Sequence, residues 1–346
     1  MTVSREAQSP QASLRLPATR DVVAIGASAG GVEALRALMA SSPPDLPAAV
    51  LVVLHMPAGG TSALASILSR SGSLPAVTAR NDVELQRGVV YVSPPDHHLL
   101  VDDGRVALSV GATENGHRPA VNALFRSAAV SAGPRVIGVQ LSGNLDDGVA
   151  GLRAIARRGG KTIVQTPSDA LFPSMPEHAL HELDVDHVLP VGEIGALLAT
   201  LTAEEVAPDD GTGLDALLEL ENRIAHGLPA TPADTPEIGP ASGYMCPDCH
   251  GALMELGPHR YRCRLGHAWS GESLLRVQGA AFERALWSAL RALDEKITLA
   301  ERMRDRAAER GNFRIAERYR RVFAEATYAA ETLREHLATL NSGPPG

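Results

Sequence analysis

The sequence is poor in aromatic residues, in cysteine and in positive charge, and each shortage excludes something. Aromatic side chains make up 3% of the 346 residues, so a core must be built from Ala, Val and Leu. A formal net charge of −8 argues against a general nucleic-acid-binding protein, because such proteins present basic surfaces to phosphates. Three cysteines, all between positions 246 and 263, do not form a disulfide framework and indicate a reducing compartment.

Long hydrophobic runs are also absent. The longest, residues 48–54, is too short to span a bilayer, so we expect no direct membrane insertion. Residues 1–20 contain no apolar segment typical of a secretory signal, and we interpret them as a disordered tail. An apolar content of 45% predicts a globular chain, and its length predicts more than one domain. We therefore expect a cytoplasmic, multidomain protein.

The clearest local pattern is a strand-to-helix turn near the beginning of the chain. Residues 22–25 (VVAI) are typical of a buried strand, residues 26–31 (GASAGG) of a tight turn, and the apolar spacing of residues 32–39 of a helix. Ser28 therefore lies near a helix N-terminus, where free N–H groups favour negative charge. The spacing Gly26-x-Ser28-x-Gly30 fits the nucleophile elbow of serine hydrolases. Glycine-rich turns of this kind also serve for packing or for phosphate binding.

Strand patterns alternate with helical patterns as far as residue 202, which predicts a doubly wound, mostly parallel α/β sheet. Ligands bind beyond the carboxyl ends of the strands in such sheets. Ser28, His55 and the Asp146–Asp147 pair each follow an apolar strand, so we expect them at the same edge. A histidine can take the proton of a serine hydroxyl, and a carboxylate can orient that histidine. His55 and Asp147 fit these two roles.

Structural interpretations of the same residues stay open. His55 can end a strand and cap a turn, and one of the two aspartates can form an Asx turn or cap the helix that begins near Gly148. His97 and His98 are rival bases, although neighbours on a Pro-Pro-Asp turn are more typical of surface residues.

Dinucleotide binding is the main alternative for the glycine-rich turn. Its fingerprint requires glycine where Ser28 stands and an acidic residue at the end of the second strand, where this sequence has His55. Both departures count against it.

Six segments, in the same order, resemble the catalytic domain of chemotaxis protein-glutamate methylesterases, the CheB-type family. They are residues 25–31 (IGASAGG), 55–57 (HMP), 93–101 (SPPDHHLLV), 118–125 (RPAVNALF), 141–148 (LSGNLDDG) and 165–176 (QTPSDALFPSMP). The resemblance implies that Ser28, His55 and Asp147 are catalytic and that no cofactor takes part. The implied activity is hydrolysis of glutamyl methyl esters on a methylated chemoreceptor or a similar signalling protein, and many members also deamidate receptor glutamines.

The sequence departs from the family pattern in the loop before Asp147. Asn144 and Leu145 stand where the family commonly has methionine and glycine, so we consider Ala29, Gly30 and Asn144 as candidates for binding the oxyanion. Only about 20 residues precede the first strand, and we expect no receiver domain and no phosphorylation control in cis. The alternative to an esterase is a catalytically weak homologue that acts as a signalling scaffold.

The cysteines predict a metal site. Cys246 and Cys249 form a C-x₂-C pair, and Cys263 and His267 form a C-x₃-H pair thirteen residues later. This is the ligand set and spacing of a closed, tetrahedral structural zinc site. A redox C-x-x-C motif or a disulfide would leave Cys263 and His267 unexplained. Some members of the resembled family carry a similar tail.

Composition divides the chain into five regions. We expect the tail 1–20, a catalytic domain 21–202, a flexible linker 203–243 with a short helix at 214–225, a zinc module 244–272 and a helical hairpin 273–340. The many charges of the hairpin are typical of a solvated face. The sharper hypothesis is a docking surface for a receptor helix or another partner.

Overall fold

The structure, a computed structural model, describes residues 18–228, 231 and 239–341. The chain divides into two compact units, the first ending at Ser273 and the second beginning at Leu274. Among the described residues, no helix is long and apolar enough to cross a membrane.

In the part of the chain that the structure describes, the strands form four sheets. In chain order they are β1 (Ala18–Thr19), β2 (Val22–Ala27), β3 (Ala49–Leu54), β4 (Ala76–Thr78), β5 (Val83–Glu84), β6 (Val90–Val92), β7 (His98–Asp102), β8 (Arg105–Ser109), β9 (Val136–Gln140), β10 (Lys161–Gln165), β11 (His187–Leu189), β12 (Glu205–Val206), β13 (Ala241–Met245), β14 (Ala252–Gly257), β15 (Arg260–Cys263) and β16 (Ala268–Ser270). The main sheet has seven strands in the order β11-β10-β9-β2-β3-β6-β4, and every neighbouring pair is parallel. The doubly wound α/β fold predicted from sequence is confirmed.

Helices cover both faces of the main sheet. In chain order the helices are α1 (Gly31–Ser41), α2 (Leu64–Ser71), α3 (Val121–Ala132), α4 (Val149–Arg157), α5 (Ser174–Glu182), α6 (Val191–Ala203), α7 (Ala216–Ala225), α8 (Gly271–Glu309) and α9 (Phe313–Asn341). Alternate residues of β2 point to opposite faces, since Val23 and Ile25 pack with α1, α2 and α6, whereas Val22 and Ala24 pack with α3 and α4. Strands buried on both faces explain the continuous apolar runs in the sequence.

The sheet reverses its winding at β2. The chain passes from β2 to β3 on one side and later returns to β9 on the other side. The loops that follow these three adjacent strands therefore meet at the carboxyl edge, which is where doubly wound sheets bind ligands.

The segment that composition predicts to be a flexible linker is partly ordered and packed, and this corrects the prediction. β12 pairs with β1, and α7 buries Leu218, Leu220 and Ile224. Arg158, which is itself buried, forms an ion pair with Asp209, with 2.5 Å between a guanidinium nitrogen and Oδ2. Because these contacts satisfy buried groups of the first unit, the segment belongs to that unit. The remainder of the expected linker, 229–230 and 232–238, and residues 1–17 of the expected tail lie outside the described residues.

A four-stranded antiparallel sheet, β13-β14-β15-β16, carries the cysteines and belongs to the first unit. In the second unit the long helices form an antiparallel hairpin, in which Asp294 pairs with Arg334 at 2.5 Å. Its core contains Leu290, Ala330 and Leu337, while Leu340 near the end of α9 is 47% exposed.

Candidate active site

Ser28 lies on the turn between β2 and α1. Its carbonyl accepts the Gly31 N–H at 2.9 Å, which closes the turn. Gly30 has a φ of 68°, and a Cβ placed there would come within 2.8 Å of Ser142 Oγ. Glycine is therefore required at this position both by the backbone and by the close loop that follows β9.

The structure brings Ser28, His55 and Asp147 into one hydrogen-bonded array. His55 Nδ1 lies 3.2 Å from Ser28 Oγ, and His55 Nε2 lies 2.7 Å from Asp147 Oδ2. Because an ionised carboxylate only accepts hydrogen bonds, the proton of a neutral His55 must be on Nε2. Nδ1 then has its lone pair directed at the serine, so the Ser28 hydroxyl donates to it. This is the protonation pattern that a general base requires.

Asp147 is buried at the N-terminus of α3, where it accepts the Val121 N–H at 2.7 Å and the Asn122 N–H at 3.4 Å. Burial alone would raise the pKa of Asp147, but the hydrogen bond from His55, the charges of His55 and His117, and the Val121 N–H together hold that pKa below its ordinary value. The carboxylate is thus kept ionised beside His55, with the helix N-terminus favouring its charge.

Close backbone approaches make this array possible. A Cβ on Gly26 would meet the Val121 side chain at 2.1 Å, and one on Gly143 would come within 2.8 Å of Ser28 Cβ. The two glycines allow α3 and the loop after β9 to reach the strand that carries the serine. Sequence reasoning did not single out Gly143, although its place in a small-residue loop after a strand was a usable signal.

The candidates for oxyanion binding lie in two loops. The Ser28 N–H is already engaged by the Ser142 carbonyl at 2.9 Å. Ala29 follows Ser28 directly in the turn before α1, whereas Asn144 is exposed in the loop after β9. The next residue, Leu145, has a φ of 65°, which is a strained conformation for a leucine.

The expectation that His98 is a surface residue is wrong. His98 is fully buried in β7, where its Nε2 donates to the Ala112 carbonyl at 3.0 Å and its Nδ1 accepts the Ala120 N–H at 3.2 Å. Burial lowers the pKa of His98, so the ring is a neutral link between backbone segments. His97 is half-buried, and its Nδ1 donates to the Pro95 carbonyl at 3.0 Å.

The sequence pattern did not identify His117 as a neighbour of the array, and it gave no side-chain partners for Asp146. The ring of His117 stacks on the ring of His55, with centroids 3.9 Å apart and planes 11° apart. Asp146 accepts hydrogen bonds from the hydroxyls of Ser270 at 2.7 Å and Ser273 at 3.3 Å. Burial, supported by the charge of Asp147, raises the pKa of Asp146. The adjacent aspartates are therefore in opposite electrostatic environments.

The four predicted metal ligands lie together in the ribbon of β13–β16. The ligand atoms of Cys246, Cys249, Cys263 and His267 are all within 4.8 Å of one another. Cys249 Sγ is 3.6 Å from Cys263 Sγ, far beyond the disulfide bond length of about 2.05 Å. Cys263 Sγ is 3.4 Å from His267 Nδ1. Zinc bonds of about 2.3 Å to sulfur and about 2.1 Å to nitrogen place tetrahedral ligands roughly 3.5–3.8 Å apart, so these residues fit a closed site that could hold a metal ion.

The fold and the array define an α/β protein with a hydrogen-bonded Ser-His-Asp set at the switch point of a parallel sheet. The sequence profile described as CheB methylesterase matches residues 23–198. The chain belongs to the CheB methylesterase family.

Curated relatives are similar over about half of the chain. The chain is 39% identical over 183 residues to a protein-glutamate methylesterase/protein-glutamine glutaminase of Methanosarcina mazei, covering 51% of this chain and 50% of the relative. It is 38% identical over 192 residues to the protein-glutamate methylesterase FrzG of Myxococcus xanthus, covering 55% and 58%. The chain thus spans about half the length of these curated relatives.

A solved structure is also similar. The crystal structure of the Thermotoga maritima CheB methylesterase catalytic domain has a TM-score of 0.51 and 32% sequence identity, and the match covers 53% of this chain and 99% of that domain. The similarity to this solved domain agrees with the family to which residues 23–198 belong.

Proposed function

We propose that this protein is a serine esterase that hydrolyses glutamyl methyl esters on a signalling protein, with Ser28, His55 and Asp147 as the catalytic residues. The observation that carries the proposal is the array itself, in which one histidine bridges the serine hydroxyl and a buried, ionised carboxylate. The names of the family and of its relatives support the substrate class.

In the first half of the reaction, Ser28 Oγ attacks the ester carbonyl while its proton passes to His55 Nδ1. Asp147 stabilises the resulting imidazolium through Nε2–H. Negative charge develops on the carbonyl oxygen, and we assign its binding to the Ala29 N–H in the turn before α1, with Gly30 and the exposed Asn144 as the further candidates. The tetrahedral intermediate then collapses. The C–O bond to the methoxy group breaks, His55 returns the proton, methanol leaves and a glutamyl ester remains on Ser28.

In the second half, water attacks the glutamyl-enzyme and gives a proton to His55 Nδ1. The intermediate breaks its bond to Ser28 Oγ, which takes the proton back, and a free glutamate side chain is released. The same steps applied to a glutamine side chain would release ammonia, in keeping with the glutaminase part of the relatives' names.

We also propose that the ribbon binds zinc as a structural ion. Cys246, Cys249, Cys263 and His267 would supply all four ligands, which leaves no open position for chemistry. Zinc bound there would stabilise the fold of the ribbon, and no step of ester hydrolysis passes through it. The partner we propose is a methylated chemoreceptor or a related signalling protein.

The test is methanol release from a methylated chemoreceptor fragment by the wild type and by Ser28→Ala. We expect release by the wild type and none by the variant. Covalent labelling of Ser28 by a fluorophosphonate separates the remaining outcomes. Labelling without methanol release would mean that the array is reactive but the substrate is wrong. Absence of both would refute the esterase and leave the scaffold alternative.

A further inference from the structure

The ribbon contacts a turn next to the array, formed by residues 113–117. The Asn115 N–H donates to the Ala268 carbonyl at 2.8 Å, and the Ala268 N–H donates to the Thr113 carbonyl at 3.2 Å. The Asn115 side chain accepts the Ser270 N–H at 2.8 Å. The 113–117 turn is therefore paired along β16 by three hydrogen bonds, two from backbone to backbone and one through a side chain.

The other end of the 113–117 turn reaches the array. Glu114 and His117 exchange both backbone hydrogen bonds, at 3.1 and 2.8 Å, so the turn is a closed unit. Its last residue, His117, covers one face of the His55 ring. A displacement of the turn at Asn115 would consequently move the surface against which His55 rests.

The same turn is joined to both halves of the Cys/His cluster. Thr113 Oγ1 donates to Asp248 at 2.7 Å, and Asp248 lies inside the first C-x₂-C pair. Arg262, directly before Cys263, donates to Glu114 at 3.2 Å and to the Gly266 carbonyl at 2.7 Å. Glu114 is also paired with Arg126 of α3. All three members of the Arg262–Glu114–Arg126 chain are buried, which makes their positions mutually dependent.

We propose that the ribbon positions His55 through the 113–117 turn, so that metal binding at the Cys/His cluster sets the reactivity of Ser28. The inference rests on the proposed function of the array. His117 is a positioning residue, because it acts on the reaction through His55. When the cluster binds a metal, its C-x₂-C and C-x₃-H pairs are fixed relative to each other, and the 113–117 turn keeps its contacts with the ribbon. When the metal is lost, the turn loses that support, and displacement of a catalytic group by about 1 Å can slow a reaction about 100-fold.

The experiment uses the full chain with zinc and after chelation, and measures two quantities. The first is the rate of Ser28 labelling by a fluorophosphonate, and the second is the set of imidazole nitrogen resonances of His55 in ¹⁵N-histidine-labelled protein. We expect chelation to slow labelling by about tenfold or more and to shift the His55 resonances, while amide signals of β2, β3 and β9 stay in place. Unchanged labelling together with unchanged His55 resonances would overturn the proposal.

Two variants test the contact between the 113–117 turn and the ribbon without removing the metal. Asn115→Gly keeps a residue suited to the observed φ of 53° and removes only the side-chain contact to Ser270, so labelling should slow with zinc still bound. The matched control is Ser242→Ala, which removes a 2.8 Å bond to the Leu253 carbonyl within the ribbon and should leave labelling unchanged. Equal rates for Asn115→Gly and the control would contradict the proposal.

The stacking contact is tested by rescue. His117→Ala should slow labelling by about tenfold, and His117→Phe, which retains a flat ring, should restore most of the rate. If both variants are equally slow, His117 does not act by covering His55. If the wild type is not labelled at all, the proposed function has failed, and the His55 resonances alone decide whether the ribbon is coupled to the array: a shift on chelation supports the coupling, and no shift refutes it.

Discussion

The sheet edge that holds Ser28 and the ribbon that holds the cysteines are stabilised in different ways. Every residue of β2, β3 and β9 is buried, and their apolar side chains pack between two layers of helices. Of the five residues in β13, four are exposed, and the buried apolar residues of the ribbon are essentially Leu253, Trp269 and two cysteines. The first region is stabilised by apolar burial, while the second has too little core and depends on other contacts.

The charged groups of the sheet edge and of the ribbon also differ. At the sheet edge the carboxylate of Asp147 is matched to one histidine and a helix N-terminus. Against the ribbon, Glu114 and Glu221 are buried with Arg126 and Arg262. A buried charged network is costly when any member is lost. The proposed reacting groups therefore stand on a sheet that is buried on both faces, whereas the ribbon beside them has little core and would depend on the metal that we propose it binds.

The largest expected effect is on the ribbon. Cys263→Ser or chelation would remove the zinc that we propose the ribbon binds, and zinc binding contributes about 10–16 kcal/mol to the folding of isolated zinc modules. Amide hydrogen exchange should therefore rise throughout residues 241–270 and stay slow in β2, β3 and β9. Equal loss of protection in both regions would show that the sheet depends on the metal as much as the ribbon does, and the comparison would fail.

The second prediction uses the adjacent aspartates as a matched pair. Asp147→Asn should lower the rate of methanol release by about 10⁴-fold, because an amide cannot hold the required tautomer of His55 or stabilise its charged form. Asp146→Asn keeps an oxygen that accepts from Ser270 and Ser273 and should leave the rate close to that of the wild type. Steady-state kinetics of the two variants measures this, and similar losses would contradict the assignment of Asp147.

The third prediction concerns the buried network. Glu114→Gln leaves Arg126 and Arg262 without their shared carboxylate, and we expect the free energy of unfolding to fall by about 3–5 kcal/mol. The control is Glu182→Gln, which removes a partly exposed pair with Arg153 at 2.8 Å and should cost less than about 1 kcal/mol. Urea unfolding of both variants provides the comparison, and equal costs would mean that the network adds no more than a surface pair.

The smallest effect is the dependence of stability on pH. Burial alone would raise the pKa values of Glu114 and Glu221, but the guanidinium groups around them hold both pKa values below the ordinary range. The pKa of Asp147 is also lowered. Native protein then binds fewer protons than unfolded protein. The stabilisation is complete above the ordinary carboxyl pKa and is lost as pH falls through the lowered values.

The contribution of Asp146 to the pH dependence of stability has the opposite sign. Because the pKa of Asp146 is raised in the folded protein, stability is lost as pH rises through that raised pKa. Urea midpoints measured from pH 7 downward should therefore fall for the wild type, and Asp146→Asn should make that fall steeper by removing the opposing contribution. A midpoint that rises on acidification would contradict these assignments.

The pattern of neighbouring residues was sufficient to predict the strands and the Cys/His set. Buried parallel strands appear as continuous apolar runs, as in residues 49–54. The C-x₂-C and C-x₃-H spacings predicted a common site, and the four ligand atoms lie in one cluster. The prediction that Ser28, His55 and Asp147 share one edge followed from their positions after strands, because parallel strands end at the same edge. The prediction of a flexible linker was wrong around α7, because Leu218 and Leu220 are buried there and Glu221 pairs with Arg260 of the ribbon.

The strands, the turn that presents Ser28 and the Cys/His set of the ribbon follow from local pattern, since periodicity and spacing are properties of neighbours in the chain. Long-range packing places the His117 ring against His55, joins Asp146 to Ser270 across 124 positions and joins Glu114 to Arg262 across 148 positions. The physical reason is that such pairs are set by how sheets and helices pack, and nothing in local spacing specifies which distant surfaces meet.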